Sequence, residues 1–398
     1  MAQVYHPTLE YGLVGAVAAA GTFLFTPAAR WLALAWGAVA RPRDRDVHAV
    51  AIPRMGGVAL FAGFALALYV ARRLPALQNA FDSGPEFVWI VVAAGIICLV
   101  GVVDDKYELD SLTKLAGQVF ASAIMVTNGG VQLSEVYVPG STLSLGRDLA
   151  IPITIGLCVV TINAVNFIDG LDGLAAGVAC IAASAFFVFS RKVTAIDIVH
   201  VTNAPNLLTA CLAGACLGFL PHNFYPAKIF MGDSGSMLIG LMLSAAATTA
   251  TTSLDPQAFE GALGPVPLAL PIVLPLAVLI IPFLDLMLAI IRRLRRGQSP
   301  FAPDKQHLHH RLLQLGHSHR RAVLLLYFWT ALLAFGGVGL AIFHGPWVVL
   351  GILCGGAALG MLMSVVPRLR RPKPPTAPPA APPAASAPSP PTPTRVRL

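Results

Sequence analysis

Five carboxylates and one amide stand where an otherwise apolar chain has little reason to carry them. Asp104 and Asp105 close the run "GVVDDK", and Asn166, Asp169 and Asp172 recur every three residues in "NFIDGLDG". Asp233 sits between two glycines in "FMGDSGS". A fourth polar cluster, "SPFAPDKQHLHHRL", brings His307, His309, His310 and Arg311 close together.

Each cluster has a chemical reading beside a plainer one. Two adjacent acids at the end of an apolar helix oppose the helix macrodipole, which favours cations there. They are either solvated carboxylates or ligands of a hard divalent cation such as Mg2+, which takes carboxylate oxygens and leaves positions for water and substrate phosphates. Lys106 and Lys114 follow closely enough to pair with those acids or with a phosphate. The three-residue spacing of Asn166, Asp169 and Asp172 puts them on one helix face, while Gly170 and Gly173 let the backbone unwind and approach a ligand. The plainer reading is a polar loop between two spans, but ionisable groups at a membrane boundary are costly and mark function. Asp233 before an apolar run reads as a helix N-cap or as part of an anion site, because exposed N–H groups there attract phosphate. The His307, His309 and His310 spacing matches no zinc motif. A loop that grips phosphate or sugar with His and Arg donors suits it better, with His317 and His319 closing that loop.

What must position these groups is a membrane. Of the 398 residues, 56% are hydrophobic and 12% charged, against about 25% charged in a soluble domain. Several stretches approach the ~20 apolar residues that cross a bilayer. The expected architecture is an all-α polytopic integral membrane protein with about eleven spans, read from hydropathy and turn signals. They fall near 11–36, 52–71, 87–103, 113–128, 149–165, 174–190, 206–220, 236–253, 267–291, 322–343 and 347–366. The first is too long and lacks the basic flank of a cleaved signal peptide. With the N-terminus outside, all of the 27 Lys and Arg except Arg72, Arg73, Arg147, Arg191 and Lys192 lie inside, as the positive-inside rule requires. That topology makes the C-terminus cytoplasmic and gathers all four clusters on the cytoplasmic face. The net charge of +8 then reflects orientation rather than nucleic-acid binding. Cys98, Cys158, Cys180, Cys211, Cys216 and Cys354 all fall in expected spans and read as small buried residues. Residues 1–366 form the membrane domain, and the Pro/Ala-rich 367–398 reads as a disordered cytoplasmic tail.

These clusters, in this order and spacing, resemble the signatures of the polyprenyl-phosphate N-acetylhexosamine-1-phosphate transferases across roughly residues 10–366. The "SPFAPDKQHLHH" loop is similar to the branch that transfers N-acetylglucosamine-1-phosphate. The phospho-N-acetylmuramyl-pentapeptide branch instead carries adjacent histidines followed by Phe-Glu. The resemblance implies a UDP-N-acetylhexosamine donor, an undecaprenyl or decaprenyl phosphate acceptor in the bilayer, Mg2+ or Mn2+ as cofactor, and a homodimer. It implies that Asp233 binds the metal and that Asp104 and Asp105 lie near metal and acceptor phosphate. Asn166, Asp169 and Asp172 then line the nucleotide-sugar pocket, Lys114 stands near the phosphates, and His307, His309, His310 and Arg311 recognise sugar and phosphate. An ion-coupled transporter would also carry boundary carboxylates, but it leaves the basic loop unexplained. A membrane scaffold explains none of the four clusters.

Overall fold

Every expected span that falls within the described residues is a helix. The computed structural model describes residues 7–40, 51–82, 84–138, 141–195, 204–252, 317–343 and 346–369, together with Leu294. The span expected at 267–291 and the residues His307, His309, His310 and Arg311 lie outside them. The helices are α1 (Pro7–Trp36), α2 (Gly56–Ala71), α3 (Gln78–Asp82), α4 (Glu86–Tyr107), α5 (Ser111–Gly129), α6 (Arg147–Ile168), α7 (Leu174–Ala195), α8 (Ala204–Asn223), α9 (Gly232–Thr252), α10 (His319–Ile342) and α11 (Pro346–Leu369). Among the described residues, eight helices are long and apolar enough to cross a membrane: α1, α4, α6, α7, α8, α9, α10 and α11.

The remaining two expected spans, α2 and α5, are helices that fall outside this set for local reasons. The stretch 52–71 is helical only from Gly56, which makes α2 a 16-residue apolar helix. Its first residues are diverted into a strand, because β2 (Ile52–Pro53) pairs antiparallel with β1 (Val39–Ala40). A proline at 53 supplies no N–H and suits this edge position. Helix α5 is long enough to be a span, but Lys114, Gln118 and Ser122 put a polar stripe along one side of it. A short hairpin, β3 (Glu135–Val138) with β4 (Ser141–Ser144), joins α5 to α6.

Helix α9 is the axis of the bundle. It packs against α2, α4, α6 and α8, and Ser234 through Thr251 are all buried. Its sequence, "GDSGSMLIGLMLSAAATTATT", is rich in Gly, Ala, Ser and Thr. Small residues let helix backbones approach in lipid, where no hydrophobic force drives helices together. The hydroxyls of Ser244, Thr249 and Thr251 turn back to carbonyls one turn earlier, so they are satisfied within the helix. Around this axis, α1 lies on α2 and α8, and α7 lies on α8 and α10. Helix α11 rests on α10 with Trp347, Ile352, Met361 and Leu362 exposed, as suits a lipid-facing edge. All six cysteines are free thiols, and Cys98, Cys158, Cys211 and Cys216 are buried as the sequence suggested, but Cys180 is half-buried and Cys354 is exposed, because it lies on α11, which among the described residues packs on α10.

The approach of α9 to α6 is tight enough to test. A Cβ added at Gly240 would lie 2.4 Å from the Ile162 Cα, which is backbone and cannot give way, whereas one at Gly351 on α11 meets nothing within 4 Å. Gly240→Ala is therefore expected to lower the melting midpoint of the detergent-purified protein, and Gly351→Ala to leave it unchanged or raise it slightly, as relief from glycine's unfolded-chain entropy predicts.

Candidate active site

Three of the four polar clusters meet at one end of the bundle. Helix α4 ends there with Asp104 and Asp105, both buried. The chain reverses within three residues: Glu108 adopts a left-handed conformation (φ 51°), and its N–H donates to the Asp104 carbonyl. The Asp104 Oδ1 braces this turn by accepting from the Leu109 N–H at 2.8 Å. Asp110 then caps α5, accepting from the N–H groups of Leu112 and Thr113, each at 3.0 Å. One turn into α5, Lys114 points back at the acids.

Lys114 is the cation that joins the clusters. Its Nζ lies 2.9 Å from Asp104 Oδ2 and 2.5 Å from Asp233 Oδ1. Asp233 stands in the first turn of α9, and Asn166, near the end of α6, donates to the same Asp233 Oδ1 and to Ser236 Oγ at 2.9 Å. A second layer lies one turn deeper. Gln118 and Asn163 form an amide pair, with Asn163 Nδ2 donating to Gln118 Oε1 at 2.7 Å, and Gln118 is fully buried beside Met237. Residues 114 and 118, 163 and 166, and 233 and 237 are helical neighbours, so the deeper layer fixes the rotation of the three helices that present the upper one.

Asp105 faces elsewhere. Its Oδ1 accepts from the Asp233 N–H at 2.8 Å, and its Oδ2 accepts from the Ser234 N–H at 3.2 Å and the Ser234 hydroxyl at 2.7 Å. The dipole argument that made these acids suspicious is thus answered in part by the fold: an acid at the end of α4 abuts the positive N-terminus of α9.

The "NFIDGLDG" residues also divide. Asp169 ends α6 as its C-cap. Burial pushes its carboxyl up to about 8, and the Asp233 and Asp105 carboxylates push the same way, opposed by Arg54. Asp172 is buried, and its Oδ2 accepts from the Ala227 N–H at 3.0 Å. Beside it, Asn223 Oδ1 accepts from the Gly173 N–H at 3.1 Å, Asn223 Nδ2 donates to the Ile229 carbonyl at 3.0 Å, and Tyr327 of α10 donates to the Gly173 carbonyl. Residues 223–231 are in turn laced to residues 53–57: Phe230 N–H to Pro53 O at 2.9 Å, Gly56 N–H to Phe230 O at 3.1 Å, and Gly57 N–H to Met231 O at 3.2 Å.

Lys106, which the sequence offered as a partner for the acids or a phosphate, turns the other way. It donates to the Trp36 carbonyl and lies over the Trp36 ring at 5.3 Å. His317 and His319 are buried anchors at the start of α10: His317 Nε2 meets the Ser364 carbonyl of α11 at 3.2 Å, and the His319 ring stacks on Tyr225. Three contributors to the site were not singled out in the sequence. Ser236 and Gln118 look like ordinary small or polar residues of spans, and Arg54 counted only as an orienting charge. The signal for Arg54 was its place in "IPRMGG", where paired glycines permit the close lacing just described.

Chemically this is a place for hard oxygen ligands and phosphates. Asp104 and Asp233 converge on one cation, Lys114, and Asn166 and Ser236 add polar groups. Among the described residues no three His, Cys, Asp or Glu side chains stand together as a metal cage. Two carboxylates with the remaining positions filled by water and substrate oxygens is the habit of Mg2+, so the donor set fits that ion at Asp104 and Asp233.

A multi-pass helical bundle with paired acids and a lysine gathered at one end is the frame of a membrane-embedded, phosphate-handling enzyme. The model of glycosyl transferase family 4 matches residues 87–251, which contain Asp104, Asp105, Lys114, Asn166, Asp169, Asp172 and Asp233. A decaprenyl-phosphate N-acetylglucosaminephosphotransferase from Mycolicibacterium smegmatis is 48% identical over 371 residues, covering 92% of this chain and 90% of that protein. One of the same description from Mycobacterium tuberculosis H37Rv is 47% identical, covering 92% and 91%. A probable undecaprenyl-phosphate N-acetylglucosaminyl 1-phosphate transferase from Bacillus subtilis is 37% identical over 306 residues, covering 76% and 77%. The chain belongs to glycosyl transferase family 4.

Lys114 offsets two acids, so its loss strands them. Lys114→Ala is expected to lower the melting midpoint in detergent, since breaking a buried ion pair on one side costs about 3–5 kcal/mol before solvent relief. Adding Asp233→Asn in that background should recover part of the loss. No recovery would mean that the charge pairing does not contribute to stability.

Proposed function

We propose that this protein transfers N-acetylglucosamine-1-phosphate from UDP-N-acetylglucosamine to a polyprenyl phosphate, decaprenyl or undecaprenyl, and releases UMP. The observation that carries the reading is the convergence of Asp104, Lys114, Asn166 and Asp233 at one end of the bundle. A water-soluble donor and a lipid acceptor can meet only at such an end. The relatives above are described as N-acetylglucosamine phosphate transferases, which favours that sugar over the phospho-N-acetylmuramyl-pentapeptide. The positive-inside count puts this end on the cytoplasmic side of a bacterial plasma membrane, with about eleven spans.

In the reaction an oxygen of the lipid phosphate attacks the sugar-bearing phosphorus of the nucleotide. The pyrophosphate P–O bond to UMP breaks and a new pyrophosphate forms between lipid and sugar. The sugar's C1–O bond is untouched, so the anomeric configuration is retained. The physical obstacle is anion meeting anion. Lys114 offsets charge on the phosphates, Asp233 and Asp104 are the carboxylates that would hold Mg2+, and Asn166 keeps Asp233 aimed. Bound Mg2+ supplies Lewis-acid stabilisation of the charge that develops on the phosphoryl oxygens. No general base is needed, because a phosphate monoester with a second pKa near ~6 is already largely ionised at neutral pH. Asp169, which feels the charges of Asp233 and Arg54, takes part in holding the nucleotide, and His307, His309, His310 and Arg311 recognise sugar and phosphate.

The test is UMP release from the detergent-purified chain with polyprenyl phosphate, Mg2+ and either UDP-N-acetylglucosamine or UDP-N-acetylmuramyl-pentapeptide, with EDTA as a control. UMP from the first donor alone, lost with EDTA, is expected; UMP from the second alone would overturn the choice of sugar. Asp233→Asn should cut UMP release by a hundredfold or more, in line with the ~10²–10³ lost when one transition-state partner is removed. Asp169→Asn should chiefly raise the KM for the nucleotide sugar.

A further inference from the structure

Asp104 and Asp105 are neighbours on one helix, so their side chains leave it about 100° apart. They cannot aim at the same point, and in this fold they do not. Asp104 reaches Lys114, while Asp105 reaches the backbone of the turn that carries Asp233. We propose that Asp105 is a positioning residue that clamps the first turn of α9, and with it the Asp233 carboxylate, rather than a ligand of the cation. This rests on the reading of Asp233 as the centre of the transfer site.

The first N–H groups of any helix have no partner within it. A cap ordinarily comes from the residue just before the helix, but here that residue is Met231, whose side chain offers no oxygen. The cap comes from another helix. Asp105 satisfies the N–H groups of both Asp233 and Ser234 and the Ser234 hydroxyl besides, so three of its roughly four acceptor positions are taken. The carboxylate is 4% exposed, and the N-terminal end of α9 stabilises its charge.

The backbone around Ser234 is shaped for this contact. A Cβ on Gly101, one turn before Asp105, would lie 2.3 Å from the Ser234 Cα, and one on Gly57 would lie 2.2 Å from the Ser234 carbonyl carbon. Gly232 takes φ +69°, and a Cβ there would come within 2.4 Å of both Asp105 oxygens. Helices α2 and α4 thus hold Ser234 from two sides, and Asp105 closes the grip by hydrogen bonds. Asp233, the residue just before it, inherits the position.

A ligand and a clamp make different predictions about Ser234, whose fully buried side chain touches Asp105. Full-length wild type, Asp105→Asn, Ser234→Ala and the double variant would be purified in detergent. Amide hydrogen exchange over 230–238 would be measured without metal or substrate, and UMP release would be titrated with Mg2+. For a clamp, exchange quickens in both single variants. UMP release falls about 10–100-fold in Asp105→Asn, as for lost supports of metal ligands, and about fivefold in Ser234→Ala, as for one hydrogen bond. The half-saturating Mg2+ concentration rises in both, and the double variant is no worse than Asp105→Asn. The proposal is overturned if Ser234→Ala exchanges and titrates as wild type, whatever Asp105→Asn does. An Asp105→Asn protein that fails to fold leaves that decision to Ser234→Ala. Wild type that releases no UMP from any UDP-N-acetylhexosamine would sink the transferase reading, and the exchange data would still decide the clamp.

Discussion

Helix α9 starts at one end of the bundle but packed between α2, α4 and α6, and that placement creates the demand the rest of the structure meets. Its N–H groups and the Asp233 carboxylate lie where water is scarce and where unpaired polar groups cost several kcal/mol each. The solution is two acids and one base from two antiparallel helices joined by a three-residue turn. Asp105 takes the helix end, and Lys114 takes the carboxylate with Asp104 as its second partner. The Asp104 carboxylate itself braces the turn that returns Lys114 to it. Without Lys114 the two acids lose the cation they share, and without Asp105 the first N–H groups of α9 lose their acceptor.

The charge does not close to zero. Asp104 and Asp233 share one lysine, and Asp105 is matched only by the partial charge of a helix end, about half an elementary charge. The upward push on Asp169 by Asp233 and Asp105 is the same excess felt by the next acid along. A pocket with surplus negative charge would repel phosphates. On the function proposed above it would become a phosphate site by drawing in further cations, and a divalent ion carried with the substrates would supply what Lys114 lacks. Arg54, which opposes the Asp169 shift, is the further positive charge that the lacing of residues 53–57 to 230–231 brings within range.

Hydropathy and charge made the membrane bundle readable, because lipid demands long apolar helices and the positive-inside rule sorts their ends. The meeting of "GVVDDK", "NFIDGLDG" and "FMGDSGS" was readable for the same reason, since alternating spans return every second loop to one side. The division of labour within each motif was not. Nothing in the letters "DD" tells which acid turns to Lys114 and which to α9; that depends on the rotation of α4, set by the approach of Gly101 to Ser234. Lys106 and Lys114 are equally basic, but Lys106 lies on the side of α4 that meets the end of α1, so Trp36 claims it. The shortened α2 depended on a two-residue strand pairing with residues 39–40, a contact that no periodicity announces.

The same division recurs in the "DGLDG" stretch. Asp172 gives its carboxylate to the Ala227 N–H, and Gly173 is held from both sides by Asn223 and Tyr327. That half of the stretch is scaffold. Asp169, three residues earlier, caps the end of α6, where the Asp233 and Asp105 charges reach it. In both motifs one acid is given to a backbone N–H of a distant segment, and its neighbour is left facing the chemistry. The acid that holds the backbone fixes where the other one points. A carboxylate suits both tasks at a membrane boundary, because an N–H donor and a cation each stabilise the charged form and the interior leaves few other options. On the function proposed above, the density of Asp in these motifs reflects two requirements at once, anchoring the loops that the bilayer cannot hydrogen-bond and presenting oxygen to a phosphate-bearing substrate.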